Sequence, residues 1–134
     1  MNTYPLEIVT PDGQIFDGEV ERLIVRAING DVCILKNHSN YVVPLGIGKA
    51  RVKSPDGNYR DASCNSGTLI VSGGSAKLIA MTFEWADEID TNRAEKAKLR
   101  AEEKIKNHKS DYELQLAELK LKRALNRLNV ANRK

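Results

Sequence analysis

The hydrophobic period of this chain changes once, after Phe83, and that change divides it into two kinds of structure. From Asp90 onward there is no Gly or Pro, and Ala, Lys, Glu, Leu and Arg dominate. These are the strong helix formers, so this part is expected to be helical. The part before Phe83 is punctuated by turns. Thr10-Pro11-Asp12-Gly13 and Ser54-Pro55-Asp56-Gly57 carry the same signal: proline presets φ, aspartate bonds the local backbone, and glycine accepts positive φ. Each lies between β-prone runs, residues 4–9 and 15–16 around the first and 47–53 and 59–64 around the second. Residues 20–28, 68–72 and 76–83 are further strands, the last two joined as a hairpin through Gly73-Gly74-Ser75. Within 47–53, Lys49, Arg51 and Lys53 alternate outward against Ala50 and Val52 inward. Many short strands at this spacing predict a small sandwich or flattened barrel.

Asp90 is the expected N-cap of a first helix running to about Lys106, with Ala94, Ala97, Ala101 and Ile105 as its apolar stripe. Asn107-His108-Lys109-Ser110 is the break, after which Ser110 or Asp111 caps a second helix. There Leu114, Ala117, Leu121, Ala124 and Leu128 recur at steps of three and four. Tyr112, Leu116 and Leu119 form a second stripe, so this helix is expected to be buried on two sides. The short linker predicts an antiparallel hairpin. The fold class is therefore α+β, with a β-sandwich or flattened barrel over residues 1–84 and a two-helix hairpin over 85–134. A segment of about 45 residues whose first helix offers mainly alanine buries little area, so the hairpin is expected to be marginal and open to tipping by a ligand or partner.

With 134 residues and 41 % apolar and 29 % charged side chains, the chain holds about one domain's worth of sequence, sufficient for a modest core and too short for a large multidomain enzyme. Charge is unevenly spread: residues 1–84 carry 8 Lys/Arg against 9 Asp/Glu, and residues 85–134 carry 13 against 9. An acidic partner is expected to meet the tail. No apolar run approaches the roughly 18–20 residues that span a bilayer, and Met1-Asn2-Thr3-Tyr4-Pro5 lacks an export pattern, so a soluble cytosolic chain is expected. Cys33 and Cys64 have no Cys-x-x-Cys spacing and are expected as free thiols.

Catalytic motifs are missing. Gly46-Ile47-Gly48-Lys49-Ala50-Arg51 fails as a P-loop because Val43 and Ala50 stand where Gly and Ser/Thr are needed, and fails as a dinucleotide loop because Arg51 is not small. His38 and His108 stand alone, without a zinc-type partner set, and no serine sits in a nucleophile elbow. A self-contained enzyme is not expected, nor is a metal site.

The residues that could bind something cluster after the strand region: Glu84, Ile89, Asp90, Arg93, Ala94 and Arg100, with Arg123 and Arg127 one turn apart on the second helix. Arg93 is out of place. In the first turn the helix dipole disfavours a cation, and a capping box would put Glu or Gln there. One compensation is a local Asp90–Arg93 pair. The other is a phosphate held jointly by Arg93, Arg100, Arg123 and Arg127, because the arginine fork matches phosphate oxygens. Lys120, Lys122, Arg123 and Arg127 also fit a plain solvated face. A freestanding nucleotide-sensing or nucleic-acid-binding module using the basic tail is the competing class. With two Phe, four Tyr and one Trp, the chain has little to stack on bases.

Four strings, in order, resemble the epsilon-subunit family of bacterial and chloroplast F-type ATP synthases across essentially the whole chain. They are Ile8-Val9-Thr10-Pro11-Asp12-Gly13, Gly30-Asp31-Val32-Cys33-Ile34-Leu35-Lys36-Asn37-His38, Glu88-Ile89-Asp90-Thr91-Asn92-Arg93-Ala94 and Lys122-Arg123-Ala124-Leu125-Asn126-Arg127-Leu128. Cys33 and Asn37 stand where the family usually has glycine, so that loop must reach its backbone geometry without it, and Asn65-Ser66-Gly67 replaces a common Ser-Gly-Gly. The resemblance implies a non-catalytic rotor subunit that needs no cofactor. Its sandwich would bind the gamma subunit and the c-subunit ring, and its hairpin would reach the alpha and beta subunits when extended and impede ATP hydrolysis. No nucleic acid is implied, and membrane contact comes only through the complex, at the cytoplasmic face of a bacterial membrane or at a thylakoid membrane. Some members bind regulatory ATP through an Ile/Leu-Asp-x-x-Arg-Ala motif, which Ile89, Asp90, Arg93 and Ala94 match. Glu84, Arg100, Arg123 and Arg127 fall where those members place further binding side chains.

Overall fold

Turn chemistry sets the strand ends of the first half. In the computed structural model, which describes residues 2–131, Gly13 and Gly57 adopt φ of 122° and 89° and close the two Pro-Asp-Gly turns. The second turn is further held by Asn58 N–H donating to Asp56 Oδ1 at 2.9 Å. Gly73 and Gly74 both take positive φ, 60° and 82°, as a tight hairpin between paired Ser72 and Ser75 requires. Met1 and residues 132–134, which include the tail cations Arg133 and Lys134, lie outside the described residues. The chain divides into two compact units, Met1–Trp85 and Ala86–Lys134.

The first unit contains β1 (Tyr4–Thr10), β2 (Gly13–Val20), β3 (Arg22–Ala27), β4 (Gly30–Ile34), β5 (Tyr41–Lys53), β6 (Tyr59–Ser72) and β7 (Ser75–Trp85). They pair in the order β2-β1-β7-β6-β5-β3-β4, antiparallel except for β1 beside β7. Five strand steps separate β1 from β4, about 24 Å in a flat sheet at about 4.8 Å per step. Yet Tyr4 Oη donates to the Ile34 carbonyl on β4 at 2.7 Å. The sheet is therefore folded onto itself as a sandwich, and Leu6, Ile8, Val20, Leu23, Val25, Ile34, Leu69 and Leu78 are fully buried between its walls.

A phase change makes that folding feasible. In β5 the buried apolar positions are Val43 and Leu45, then Ala50 and Val52; in β6 they are Ala62 and Cys64, flanked by buried polar Ser63 and Asn65, then Leu69 and Val71; in β7 they are Ala76, Leu78 and Ala80, then Phe83 and Trp85. Odd and even positions exchange the buried apolar role in all three strands. The exchange lies along one line, because Leu45 pairs with Gly67 and Gly67 with Ala80. On β6 the backbone absorbs it with Ser66 at φ 52° and Gly67 at φ 143°. A Cβ on Gly67 would overlap the Ile79 carbonyl oxygen and lie 2.8 Å from Ala80 Cα.

Local pattern and observed elements differ in instructive places. Residues 20–28 are two strands, since β2 ends at Val20 and β3 starts at Arg22. Residues 59–64 and 68–72 are one strand, β6, because glycine at the crease keeps the ladder continuous where the alternation breaks. Cys33 lies on β4, paired with Ile24, and needs no glycine geometry, whereas Asn37 takes the left-handed φ of 64°.

Burial also sorts the thiols. Cys33 is exposed, whereas Cys64 is buried and its pKa is pushed by desolvation from 9.0 up to about 12. Burial, together with nearby Cys33, also raises the Tyr4 phenol well above its usual value. An alkylating reagent at pH 8 should therefore modify one thiol per native chain, Cys33, and reach Cys64 only on unfolding. Above the ordinary thiol value the unfolded chain gives up a proton that folded Cys64 keeps until about pH 12. The Cys64 contribution is intact below pH 9 and falls, by up to about 1.4 kcal/mol per pH unit, as pH rises from there. Urea midpoints at pH 8 and 10.5, compared with those of Cys64→Ala, measure it.

The second unit begins with a 3-10 turn, Ala86–Glu88, followed by α1 (Thr91–Lys106) and α2 (Asp111–Ala131). The α1 and α2 helices pack together across the four-residue link, as an antiparallel hairpin. Ser110 caps α2, its Oγ accepting from Glu113 N–H at 3.1 Å, while Glu113 Oε2 accepts from Lys109 N–H at 2.9 Å. The second stripe stays outside: Tyr112 is 72 % exposed, and Leu116 and Leu119 are close to 40 % exposed. A pair of helices has one mutual interface, and the stripe around Ala117 and Ala124 occupies it.

Candidate functional site

The arginines of the hairpin share a simple relation to its packing. Buried Ala94 and Ala101 on α1 are seven residues apart, as are Ala117 and Ala124 on α2. An antiparallel register that sets Ala94 opposite Ala124 therefore sets Ala101 opposite Ala117. Arg93, Arg100, Arg123 and Arg127 each directly precede a buried residue: Ala94, Ala101, Ala124 and Leu128. Each thus lies one residue step, about 100° of helix rotation, to the same hand of the stripe. In two antiparallel right-handed helices that hand leads to the same side of the pair, so all four arginines lie on one face of the hairpin. On that register Arg93 is level with Arg123 and Arg127 to within about 3 Å along the axis, whereas Arg100 lies about 10 Å further along α1 from Arg93.

Capping fixes the start of that face. Asp90 is the N-cap, and its Oδ1 accepts the main-chain N–H of Arg93 at 3.0 Å. The local ion pair anticipated for Asp90 and Arg93 is replaced by this backbone bond, since among the described residues no ion pair ties the Arg93 guanidinium to Asp90. Ile89 and Ala94 on either side are buried. On α2, Lys120 and Lys122 are exposed, but Arg123 and Arg127 are half-buried. Arg123 Nε is sealed from solvent and has no hydrogen-bond partner among the described residues. On the register that sets Ala94 opposite Ala124, Arg93, Arg123 and Arg127 fall at one end of the hairpin, with Arg100 on the same face. Glu84 belongs to the first unit, half-buried on β7 opposite Ser63.

The sandwich presents a second surface, which the sequence reading missed. Val42 pairs with Ile70, Pro44 with Thr68, Thr68 with Ile79 and, through β7, Ile79 with Val9. These positions alternate with the buried ones and point outward. Val42 is 66 %, Met81 60 % and Ile79 39 % exposed. Continuous apolar runs, Leu69-Ile70-Val71 and Leu78-Ile79-Ala80-Met81, were the available signal. A strand with one wet face alternates, and these do not. An apolar sheet face of this kind suits docking on protein.

Two family models cover the two units: the ATP synthase Delta/Epsilon chain beta-sandwich domain matches residues 3–86, and the long alpha-helix domain matches residues 87–132. The ATP synthase epsilon chain of Ruminococcus albus is 41 % identical over 135 residues, covering all of both chains. That of Bacillus cytotoxicus is 42 % identical, also over all of both.

The chain belongs to the ATP synthase epsilon chain family.

Among solved structures, a chain of the Euglena gracilis mitochondrial ATP synthase OSCP/F1/c-ring assembly shares the fold at a TM-score of 0.79 and 20 % identity, over 91 % of this chain and 77 % of that one. A chain from the Tetrahymena thermophila mitochondrial ATP synthase central stalk and c-ring aligns at a TM-score of 0.60 and 15 % identity, over 96 % of both. An epsilon chain is a non-catalytic stalk subunit of the F-type ATP synthase. Membership in the family sets aside the freestanding nucleic-acid module. No helix among the described residues is long and apolar enough to cross a membrane.

Proposed function

We propose that this epsilon chain couples and regulates rotation: its sandwich docks on the gamma subunit and the c-subunit ring, and its hairpin is an ATP-sensitive switch. The observation that carries the switch is the single face on which Arg93, Arg100, Arg123 and Arg127 lie, where Arg123 Nε is sealed and has no acceptor among the described residues. A polyphosphate supplies acceptors and negative charge together. The packing that such a ligand would reinforce is weak on the α1 side, since the buried residues of α1 are Ala94 and Ala101 and each buried methyl contributes only about 0.8 kcal/mol.

Support for docking comes from the outward apolar face around Val42, Ile79 and Met81. In the folded form the hairpin permits turnover. Extended along gamma, it brings its basic second helix to the alpha and beta subunits and impedes hydrolysis, an attraction that weakens with salt. The bacterial relatives fit a subunit held at the cytoplasmic face of the membrane through its complex. Deleting residues 90–134 should leave the complex assembled and raise its ATP hydrolysis. Equal hydrolysis with and without the tail would remove the switch.

A further inference from the structure

The break between α1 and α2 is made without the residues that ordinarily end a helix. Residues 107–110 contain no Gly or Pro, and none of them has positive φ, whereas helices commonly stop on a left-handed glycine. Side-chain hydrogen bonds hold the interruption instead. In an uninterrupted helix Lys109 N–H would donate to the Ile105 carbonyl and Glu113 N–H to the Lys109 carbonyl. Here Lys109 N–H donates to Glu113 Oε2 at 2.9 Å, the Ile105 carbonyl accepts from His108 Nδ1 at 2.7 Å, and Glu113 N–H donates to Ser110 Oγ at 3.1 Å. Both halves of one ladder bond, and the donor of another, are thus occupied by side chains. Such caps stabilise helix ends alone, because in a continuous helix the same main-chain groups already have partners.

The apolar faces show what a continuous helix would change. Tyr112 follows Ala94 by 18 residues, about five turns, and Ala101, Ile105, Leu116 and Leu119 all fall within about 40° of the same line. The exposed stripe of α2 would therefore prolong the stripe of α1, whereas buried Ala117 and Ala124 would fall about 120–140° away. The second stripe has no place in the hairpin and a continuous one in a single helix. We propose that Ser110, Glu113 and His108 form a latch that holds residues 107–110 as a turn, and that its release lets α1 and α2 join into one helix. The regulatory meaning of the latch rests on the switch proposed above, but the latch itself is a property of the isolated chain.

The test places nitroxide labels at Lys96→Cys and Lys122→Cys, both exposed positions, in the full-length chain with Cys33→Ser, and reads their separation by pulsed dipolar spectroscopy. On the register that sets Ala94 opposite Ala124 these positions face each other across helix axes about 9 Å apart, so the hairpin gives label distances below about 25 Å. A continuous helix separates them by 26 residues, about 39 Å. Ser110→Ala combined with Glu113→Ala removes the capping box and should raise the ratio of long to short distances about tenfold, to at least about a tenth of the molecules. Asp111→Pro is the counterpart. Asp111 is the first residue of α2, whose Leu114 N–H donates to the Ser110 carbonyl at 3.1 Å, and proline is accepted there. The same proline would lie inside a continuous helix and break it. Added to the capless variant, it should abolish the long population and leave the short one. A capless variant without the long population overturns the latch. So does a long population that survives Asp111→Pro, or a broad spread of distances centred elsewhere, since neither is a continuous helix. Deleting residues 90–134 from the assembled complex tests the switch on its own, so the two readings fail separately.

Discussion

Replacing Gly67 by alanine should cost the sandwich roughly 3–5 kcal/mol, among the largest losses for any single methyl added to this chain. Two separate costs combine. At φ 143° an L side chain is strained by about 1–3 kcal/mol. The new Cβ would also run into the Ile79 carbonyl and lie 2.8 Å from Ala80 Cα, which are backbone atoms held by the β6–β7 ladder. Neither can rotate away as a side chain would. Gly73→Ala is the control, because Gly73 also has positive φ, 60°, but open space around it, and should lose no more than about 1 kcal/mol. Urea denaturation of both variants makes the comparison. If Gly67→Ala unfolds within about 1 kcal/mol of the parent, the crease does not depend on glycine.

The second large effect concerns ATP. On the proposed site each arginine gives a charge-assisted contact to phosphate, worth about 1.5–3 kcal/mol. Arg93→Ala and Arg127→Ala should each weaken ATP binding about 10- to 100-fold, and the double variant should give no binding heat at millimolar ATP. Lys122→Ala, an exposed change on the opposite side of α2, separates this from a loss of general positive charge and should bind nearly as the parent does. No heat from the parent, or parent-like binding by both arginine variants, would remove the phosphate site. The linkage is quantitative, since ATP at ten times its dissociation constant favours the folded hairpin by about 1.4 kcal/mol. That is sufficient to move a balanced switch and too small to reverse a strongly biased one.

Much of this architecture was legible because its causes are local. Pro-Asp-Gly marks a turn whatever surrounds it, and Gly73-Gly74 marks a tight hairpin. Asp90 caps α1, and the break at Asn107–Ser110 is visible in composition alone, so α1 begins and ends, and α2 begins, where the sequence places them. The strands were harder. β4 is five residues long with no clear alternation, and it is a strand because β3 lies beside it. β6 looks like two strands because its burial phase breaks at Ser66 and Gly67, while its ladder with β5 continues through the break. Tyr112, Leu116 and Leu119 look like a stripe for burial, yet the hairpin has no second interface to receive them.

The candidate site divides in the same way. Arg93 was conspicuous in sequence because a cation in the first turn opposes the helix dipole, a one-helix argument. That Arg93, Arg100, Arg123 and Arg127 share a face follows only once Ala94, Ala101, Ala124 and Leu128 are known to be the packed positions. The nitrogens of Arg22 and Arg123 that are sealed and unmatched among the described residues leave no trace in sequence, because desolvation is a property of neighbours brought in from elsewhere in the chain.

Sequence by itself determined the two kinds of secondary structure, their turns and caps and the membership of the family, since each rests on backbone preferences or residue strings acting over a few positions. Tertiary structure alone decided that the sheet closes so that Tyr4 meets Ile34, that Gly67 lies on the crease, and which faces of the strands and helices remain outside. Those outcomes depend on which distant surfaces exclude water from one another, and no short stretch of residues specifies that.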